Sequence, residues 1–396
     1  MSEGTGKKTI RDVDVAGTTV LVRSDLNVPI DRGTVADDTR IRESLPTIQY
    51  LLDHGAKVIV CSHLGRPKGR DESLSLAPVA GRMGNLMNRE VLFVEDCIGE
   101  EVRQAVAEMV PNQVLLLENL RFHPGEEAND PEFARQLAAP AQLFVDDAFG
   151  SAHRAHASTV GVTQYLPAVA GFLLEKEVRY LKTLVEDPPK PFAAVIGGAK
   201  VSSKIPAIEH LLPRLDMLLL GGGMANTFLK AEGFDVGMSL VEDEQVDAAR
   251  RILAQARGRG VQVHLPRDVV AAERFEAGAG SRTVPVAHVP RGYMILDIGP
   301  ETVKEYAVAL RRAKTVVWNG PMGVFEWPKF AHGSHGVAKA IAALDATTVV
   351  GGGETAQVVT QLGLQDQFTH VSTGGGASLE MLEGRELPGV AALEDA

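Results

Sequence analysis

The sequence predicts an α/β protein made of two doubly wound parallel-sheet domains joined by a hinge helix. Three observations predict it. Short apolar runs alternate with amphipathic stretches almost from end to end. The runs are continuous rather than alternating in polarity, as strands covered on both faces require. A stiff break, Asp187-Pro188-Pro189-Lys190-Pro191, divides the chain near its middle, where no helix can continue.

In the first half the strand candidates are Thr19–Val22, Val58–Cys61, Val91–Val94, Val114–Leu117 and Leu143–Val145. Between the first two, Leu45, Ile48, Leu51 and Leu52 recur at helical spacing and Gly55 supplies a stop. Pro46 is expected near the start of that helix, where its missing N–H is harmless. Glu175–Leu184 reads as the connecting helix, with Val178, Leu181 and Leu184 on one stripe. Beyond the break come Ala193–Ile196, Met217–Leu220, Val261–His264, Met294–Leu296, Thr315–Trp318, Thr348–Val350 and His370–Ser372. Strand–helix alternation of this kind means parallel sheets with helices on both faces. The expected division is a first domain over 1–170, the helix and linker over 171–190, a second domain over 191–380 and a tail over 381–396.

Composition narrows the function. The chain has 396 residues, 45% apolar and 23% charged, far from disorder. Its net charge is −11, with no basic run beyond short pairs, which argues against a nucleic-acid partner. No apolar run reaches the ~20 residues of a membrane helix. The segment Met1 to Arg11 is polar and carries no secretory signal, and two cysteines, Cys61 and Cys97, suit a reducing cytoplasm.

In doubly wound sheets, ligands bind beyond the carboxyl ends of the strands. Following each first-half strand therefore reveals the chemistry. The segments are Arg23-Ser24-Asp25-Leu26-Asn27, Ser62-His63-Leu64-Gly65-Arg66, Asn119-Leu120-Arg121 and Ser151-Ala152-His153-Arg154-Ala155-His156, with a further loop at Asp37-Asp38-Thr39-Arg40. Each supplies an arginine, whose planar fork suits carboxylate and phosphate oxygens. Several forks in one crevice of an acidic protein would bind a small, multiply charged anion. Asp25 and Asn27 either orient a substrate hydroxyl or serve the turn before Pro29. His63, His153 and His156 are phosphate hydrogen-bond candidates. Cys61 with His63 falls short of a metal site.

Second-half strands run into glycines and then helices, at Gly197-Gly198-Ala199-Lys200, Gly221-Gly222-Gly223, Gly351-Gly352-Gly353-Glu354-Thr355 and Thr373-Gly374-Gly375-Gly376. Such turns either pack strand tightly on helix or let a phosphate approach backbone N–H groups. Lys200 and Lys204 share a face if their stretch is helical. Glu354, at a helix start, either holds Mg²⁺ or complements the helix dipole. Trp318-Asn319-Gly320-Pro321-Met322-Gly323-Val324-Phe325-Glu326 suits a nucleoside, with Glu326 a candidate for ribose hydroxyls. No Walker A loop occurs; Gly351–Ala356 matches only the looser G-x-G-x-x-A dinucleotide pattern.

Taken together, SHLGRP, ENLRF, AHRAHAS, GGAKVSSK, WNGPMGVFE and STGGGASLE resemble the phosphoglycerate kinase family over nearly the whole chain. The resemblance implies two Rossmann-like domains with the active site between them and a tail that returns to the N-terminal domain. It implies 3-phosphoglycerate or 1,3-bisphosphoglycerate at the loops carrying Asp25, Leu26, Asn27, Arg40, His63, Leu64, Gly65, Arg66, Arg121 and Arg154. It places Mg-ADP or Mg-ATP at Gly198, Lys200, Lys204, Asn319, Glu326, Gly352, Gly353, Glu354 and Thr355. Arg40 and Lys200 would neutralise the transferring group, and N–H groups near Gly353 and Gly375 would complete the cradle. A monomer is the family expectation. Glu354 stands where the family more often has Asp, and Ile295 where many members have Gly.

The implied acceptor is a carboxylate, ionised near neutral pH, so no general base is needed. Catalysis would be positioning and charge stabilisation of an in-line transfer, completed by hinge closure. Two other readings stand beside it: an NAD-dependent dehydrogenase, from the Gly351 pattern, and a two-lobed anion-binding protein without activity.

Overall fold

The computed structural model describes residues 5–396, so the start of the expected first domain, residues 1–4, lies outside the described residues. Two compact units emerge: residues up to Arg179 with Glu386–Ala396, and Tyr180–Arg385.

The first unit holds six parallel strands: β1 (Thr19–Arg23), β2 (Lys57–Cys61), β3 (Leu92–Val94), β4 (Val114–Leu117), β5 (Leu143–Asp146) and β6 (Ala168–Ala170). Their order is β3-β4-β2-β1-β5-β6. The chain winds away from β1 in one direction and resumes on its other side at β5, so the order reverses at β1. Val20, Val22, Val58, Val60, Val114 and Leu116 fill one core with Ile41, Ile48 and Leu51. Each such fully buried side chain contributes roughly 1.5–3 kcal/mol. The short run Ala168–Ala170, too small and brief to read as a strand, adds the edge strand β6. The last residues pair with the first described ones: the Lys8 amide donates to the Glu394 carbonyl at 2.9 Å, and Lys7 Nζ reaches Asp395 at 2.7 Å.

Two expectations here are corrected. The first helix runs Thr39–Asp53, so Arg40 stands on a helix rather than in a loop, and Pro46 is its eighth residue rather than near its start. Pro46 leaves the Arg42 carbonyl without its helical partner, at about 3 kcal/mol. The buried stripe Ile41, Ile48, Leu51 and Leu52 offsets that cost.

The second unit holds nine strands: β7 (Phe192–Ile196), β8 (Met217–Leu220), β9 (Gln262–His264), β10 (Asp268–Ala272), β11 (Ser281–Pro285), β12 (Met294–Ile298), β13 (Thr315–Asn319), β14 (Thr347–Gly351) and β15 (His370–Val371). Six form a parallel sheet in the order β9-β8-β7-β13-β14-β15, which reverses between β7 and β13. Trp318 is fully buried at its centre, and its indole N–H donates to the Gly320 carbonyl at 2.8 Å. The predicted strand at Met294–Leu296 belongs elsewhere: β12 lies in a separate antiparallel sheet, β11-β10-β12. The β10–β11 link is a hairpin-length connection without a helix, and a strand joined that way pairs antiparallel. β11 escaped the sequence reading because it is exposed and polar along most of its length; β10 was missed although its run Val269–Ala272 is apolar and largely buried.

The helix Phe172–Glu186 contains the boundary between the units, which falls between Arg179 and Tyr180. Its start is anchored in the first unit, where the Leu173 and Leu174 amides donate to Asp147 Oδ1 at 2.8 and 3.2 Å.

Candidate active site

In the first unit, parallel pairing sends the loops after β1, β2, β4 and β5 to one sheet edge. Arg40, from the first turn of its helix, pairs with Asp25 from the loop after β1. The Asn27 amide donates to Asp25 Oδ1 at 3.2 Å, and Asn27 Oδ1 accepts the Gly65 amide at 2.9 Å. The Leu26 amide donates to Ser62 Oγ at 2.9 Å. Arg121 Nη1 donates to the Gly65 carbonyl at 2.7 Å. Asp25, Leu26, Asn27, Arg40, Gly65 and Arg121 are thus one hydrogen-bonded neighbourhood, although they span nearly a hundred residues of sequence.

Asn119, buried after β4, clamps this neighbourhood. Its Oδ1 accepts the Leu64 and Arg121 amides at 3.1 Å each, and its Nδ2 donates to the Leu64 and Leu74 carbonyls at 2.7 and 2.9 Å. Sequence reasoning missed it, because an Asn in a loop looks like any other turn residue. Arg66 is exposed at the end of the same loop, and Arg154 is half-buried beside His153, 3.3 Å from Nε to ring nitrogen.

Arg23 departs from the expectation that every strand-end arginine faces a ligand. It is 1% exposed. Its guanidinium donates to Ser158 Oγ at 2.8 Å and to the Ser24 carbonyl at 2.5 Å, and approaches His63 Nδ1 at 3.1 Å. An arginine only donates, so His63 Nδ1 accepts and the ring proton sits on Nε2. Burial, then the charge of Arg23, depresses the His63 pKa well below the usual histidine value, so the ring is neutral. Burial alone would raise the Asp25 carboxyl, but Arg40 and Arg23 outweigh it and hold the pKa below the ordinary range. His156 is depressed to about 4, by burial first and then Arg121. Two carboxyls behind the loops, Asp146 and Asp147, are pushed up to about 7 and about 8, chiefly by burial.

In the second unit the turns after β7 and β13 meet where the strand order reverses. Lys204 Nζ donates to Asn319 Oδ1 at 2.5 Å, and the Gly198 amide donates to the Pro321 carbonyl at 2.9 Å. Burial lowers the Lys204 pKa, with Glu354 and Glu383 opposing the shift. The condition under which Lys200 and Lys204 would share a helix face is not met: their stretch is a turn, and the helix begins at Ile205. Pro206 explains this, since a proline is tolerated in a helix's first turn and not after it. Lys200 is exposed on that turn.

The glycines divide into two kinds. Gly222 has φ +67°, and an added Cβ would lie 2.6 Å from the Gly198 carbonyl oxygen and 2.7 Å from that of Pro321. Packing and backbone conformation account for it. Gly353 opens the helix Gly353–Gln361 with no positive φ, and a Cβ there would meet nothing within 4 Å. Gly375, φ +52°, caps Gly376–Leu382 with the same open space around it. The left-handed φ accounts for glycine at 375, whereas Gly353 is required neither by packing nor by conformation; a Cβ at either would meet open space. Thr355, by contrast, is buried, and its hydroxyl accepts the Gly320 amide at 2.7 Å, which fixes the turn. Gly352 caps the same helix at φ +94°.

Beside these turns lies a cavity of about 250 Å³, lined by Gly198, Leu240, Phe275, Ile295, Val324 and Glu326 among others, with Glu354 on its border. Its walls are mostly apolar, and Glu326 is exposed at it. Ile295 packs its side chain here while its amide donates to Ser239 Oγ at 2.8 Å. Phe275, 62% exposed and 4.7 Å from the Trp327 ring, was not anticipated, because it sits in a polar, glycine-bearing loop without periodicity. Glu354 is an exposed carboxylate within electrostatic reach of Lys204, in a place where a hydrated Mg²⁺ fits the donor chemistry.

Comparison with known proteins adds an independent line. Residues 10–385 match the family model described as phosphoglycerate kinase. A phosphoglycerate kinase of Moorella thermoacetica is 57% identical over 390 residues, covering 98% of this chain and 99% of its own length. One from Pelotomaculum thermopropionicum is 56% identical with the same coverage. Among solved structures, the phosphoglycerate kinase of Coxiella burnetii superposes with a TM-score of 0.88 at 41% identity, over 98% of each chain. That of Pyrococcus horikoshii gives 0.85 at 33% identity, again over 98% of each. The dehydrogenase alternative finds no support in these matches.

Proposed function

The chain belongs to the phosphoglycerate kinase family, and from that premise we infer a reversible, Mg²⁺-dependent transfer of phosphate between 1,3-bisphosphoglycerate and ADP, giving 3-phosphoglycerate and ATP. The observation that carries the assignment of roles is the Arg40–Asp25 pair, held with Asn27, His63 and Arg121 at the edge where β1 emerges. Guanidinium groups there suit the carboxylate and phosphate of a three-carbon acid. Asp25, with Asn27 beside it, orients the substrate hydroxyl. Neutral His63 offers its Nε2 proton as a hydrogen-bond donor, and Arg66, Arg121 and Arg154 hold the distal phosphate.

For the nucleotide, the apolar cavity takes the base and Glu326 the ribose hydroxyls. The turns at Gly198, Gly352, Gly353 and Gly375 present N–H groups to the phosphates, joined by Lys200, Lys204 and Asn319. Glu354 would hold Mg²⁺, directly or through water, and the ion would neutralise phosphate charge.

The acceptor carboxylate needs no proton removed, so the protein's task is alignment and charge neutralisation. Arg40 compensates the migrating PO₃ unit from the acid's side and Lys200 from the nucleotide's. A direct transfer requires the two reactants to meet, so turnover includes a hinge step that also keeps water from the acyl phosphate. We assign the enzyme to the cytoplasm, acting as a monomer.

The test is product formation from 3-phosphoglycerate and ATP, coupled to a dehydrogenase that oxidises NADH. NADH consumption should require both substrates and stop on chelation of Mg²⁺. Absence of turnover with a folded chain would overturn the reading.

A further inference from the structure

The neighbouring strands β3 and β4 end side by side, and the residues just past them bring three unlike donors together. Asp96 and Cys97 follow β3, and His123 closes the turn after β4. One carboxylate oxygen, the thiol sulfur and one imidazole nitrogen all lie within 4.8 Å of one another. His123 Nε2 and Asp96 Oδ1 are 2.6 Å apart. We propose that Asp96, Cys97 and His123 form a site for one borderline-soft divalent cation of the Zn²⁺ class, separate from the nucleotide's Mg²⁺.

Ligand bonds of about 2.0–2.3 Å in a tetrahedron hold donor atoms roughly 3–4 Å apart. To become three corners of such a site, His123 Nε2 and Asp96 Oδ1 part by about 1 Å and give up their 2.6 Å hydrogen bond, while donors spaced nearer 4.8 Å close in by about as much. The donor set selects the metal: sulfur and imidazole disfavour Mg²⁺ and Ca²⁺, which take oxygen, and suit Zn²⁺ or Co²⁺. Asp96 and His123 are partly exposed while Cys97 is buried, so the ion enters from solvent and keeps a water as fourth ligand. Cys97 is a free, buried thiol, and binding exchanges the His123–Asp96 hydrogen bond for two ligand bonds. Coordination releases the thiol proton, so affinity rises with pH. The bound ion ties the β3 loop to the turn carrying Arg121, two residues before His123, and so stiffens one wall of the anion site.

The test is titration of the full, nucleotide-free chain with Co²⁺, followed by displacement with Zn²⁺. One equivalent should give a sulfur-to-cobalt charge-transfer band, which oxygen ligands such as Glu354 cannot produce. Cys97→Ser should lose the band, His123→Gln should weaken affinity by about tenfold or more, and Cys61→Ser should leave both unchanged. Cooperative melting of each metal-free variant checks that it folds. If Cys97→Ser does not fold, the wild-type band and His123→Gln decide the matter. A wild-type chain without the band, or affinity unchanged in His123→Gln, overturns the proposal.

Discussion

The two candidate half-sites offer opposite means of holding an anion. In the first unit, charge comes from side chains, and those side chains rest on a buried polar layer: Arg23 under His63, Asn119 under the Leu64 and Arg121 amides. In the second unit, the proposed phosphate contacts are largely backbone, at Gly353 and Gly375, where a Cβ would meet nothing within 4 Å. The difference suits the ligands proposed for each. A three-carbon acid must be told from its relatives, which needs directed forks and a fixed tautomer. A phosphate chain is recognised by bare N–H groups and a helix start. The first half-site should therefore fail when a charge is removed, and the second when a carbon is added.

Removing Arg40 is the harshest test. Arg40→Ala should lower kcat by about 10³-fold or more, the scale of arginine neutralisation in phosphoryl transfer. The Arg40–Asp25 pair is partly exposed, so its loss should change stability by under about 1 kcal/mol. Steady-state kinetics with a thermal melt distinguishes the two effects. Collapse of the fold, or turnover within a few-fold of wild type, would erase the contrast from the side-chain end.

From the backbone end, Gly353→Ala and Gly222→Ala make a matched pair. A Cβ at Gly353 meets nothing within 4 Å. Alanine there should leave the melting temperature unchanged or raise stability by up to about 1 kcal/mol through helix propensity. Turnover with ATP should nonetheless fall, by roughly 10–100-fold, because the methyl occupies the space a phosphate needs. Gly222→Ala should instead destabilise by about 1–3 kcal/mol, since it strains a left-handed φ against the Gly198 carbonyl. If Gly353→Ala is as active as wild type, its missing side chain serves no ligand.

These particular residues also mark what the sequence made legible. The β1, β2, β4 and β5 loops were readable because continuous apolar runs announce parallel strands, and parallel strands deliver their ends to one edge. The inward turn of Arg23 was not, because spacing along the chain does not reveal a rotamer: five strand-end or loop arginines look alike in the sequence. The glycine turns were readable as a class, yet only coordinates separate Gly222, required by its neighbours, from Gly353, required by none. The spacing of Lys200 and Lys204 leaves open whether they share a helix, although Pro206 carries the signal that the helix starts beyond them. Strand β11 stayed hidden because exposed Arg282 and Thr283 break the apolar pattern that marked the other strands. Phe275 belongs to a wall assembled from distant loops, and no local pattern encodes such a wall.

The smallest effect probes the buried layer itself. Asp146 and Asp147 in the first unit have pKa values raised to about 7 and about 8, whereas the second unit has Asp297 at about 8. Unfolded aspartate titrates near ~3.9. Between that value and the native ones, the folded chain holds protons the unfolded chain has lost. The stability from these groups is therefore complete below about pH 4 and declines as pH rises towards 8. The first unit, with two adjacent groups, should lose more than the second. Both tryptophans, Trp318 and Trp327, lie in the second unit, so their fluorescence follows that unit while circular dichroism follows the whole chain. Raising pH from 6 to 9 should lower the dichroism midpoint more than the fluorescence midpoint, by about 3 °C. Asp147→Asn keeps a neutral acceptor for the Leu173 amide and should narrow that gap. A gap that is absent in wild type, or unmoved by Asp147→Asn, would mean that the ionisable layer under the first half-site carries no such asymmetry.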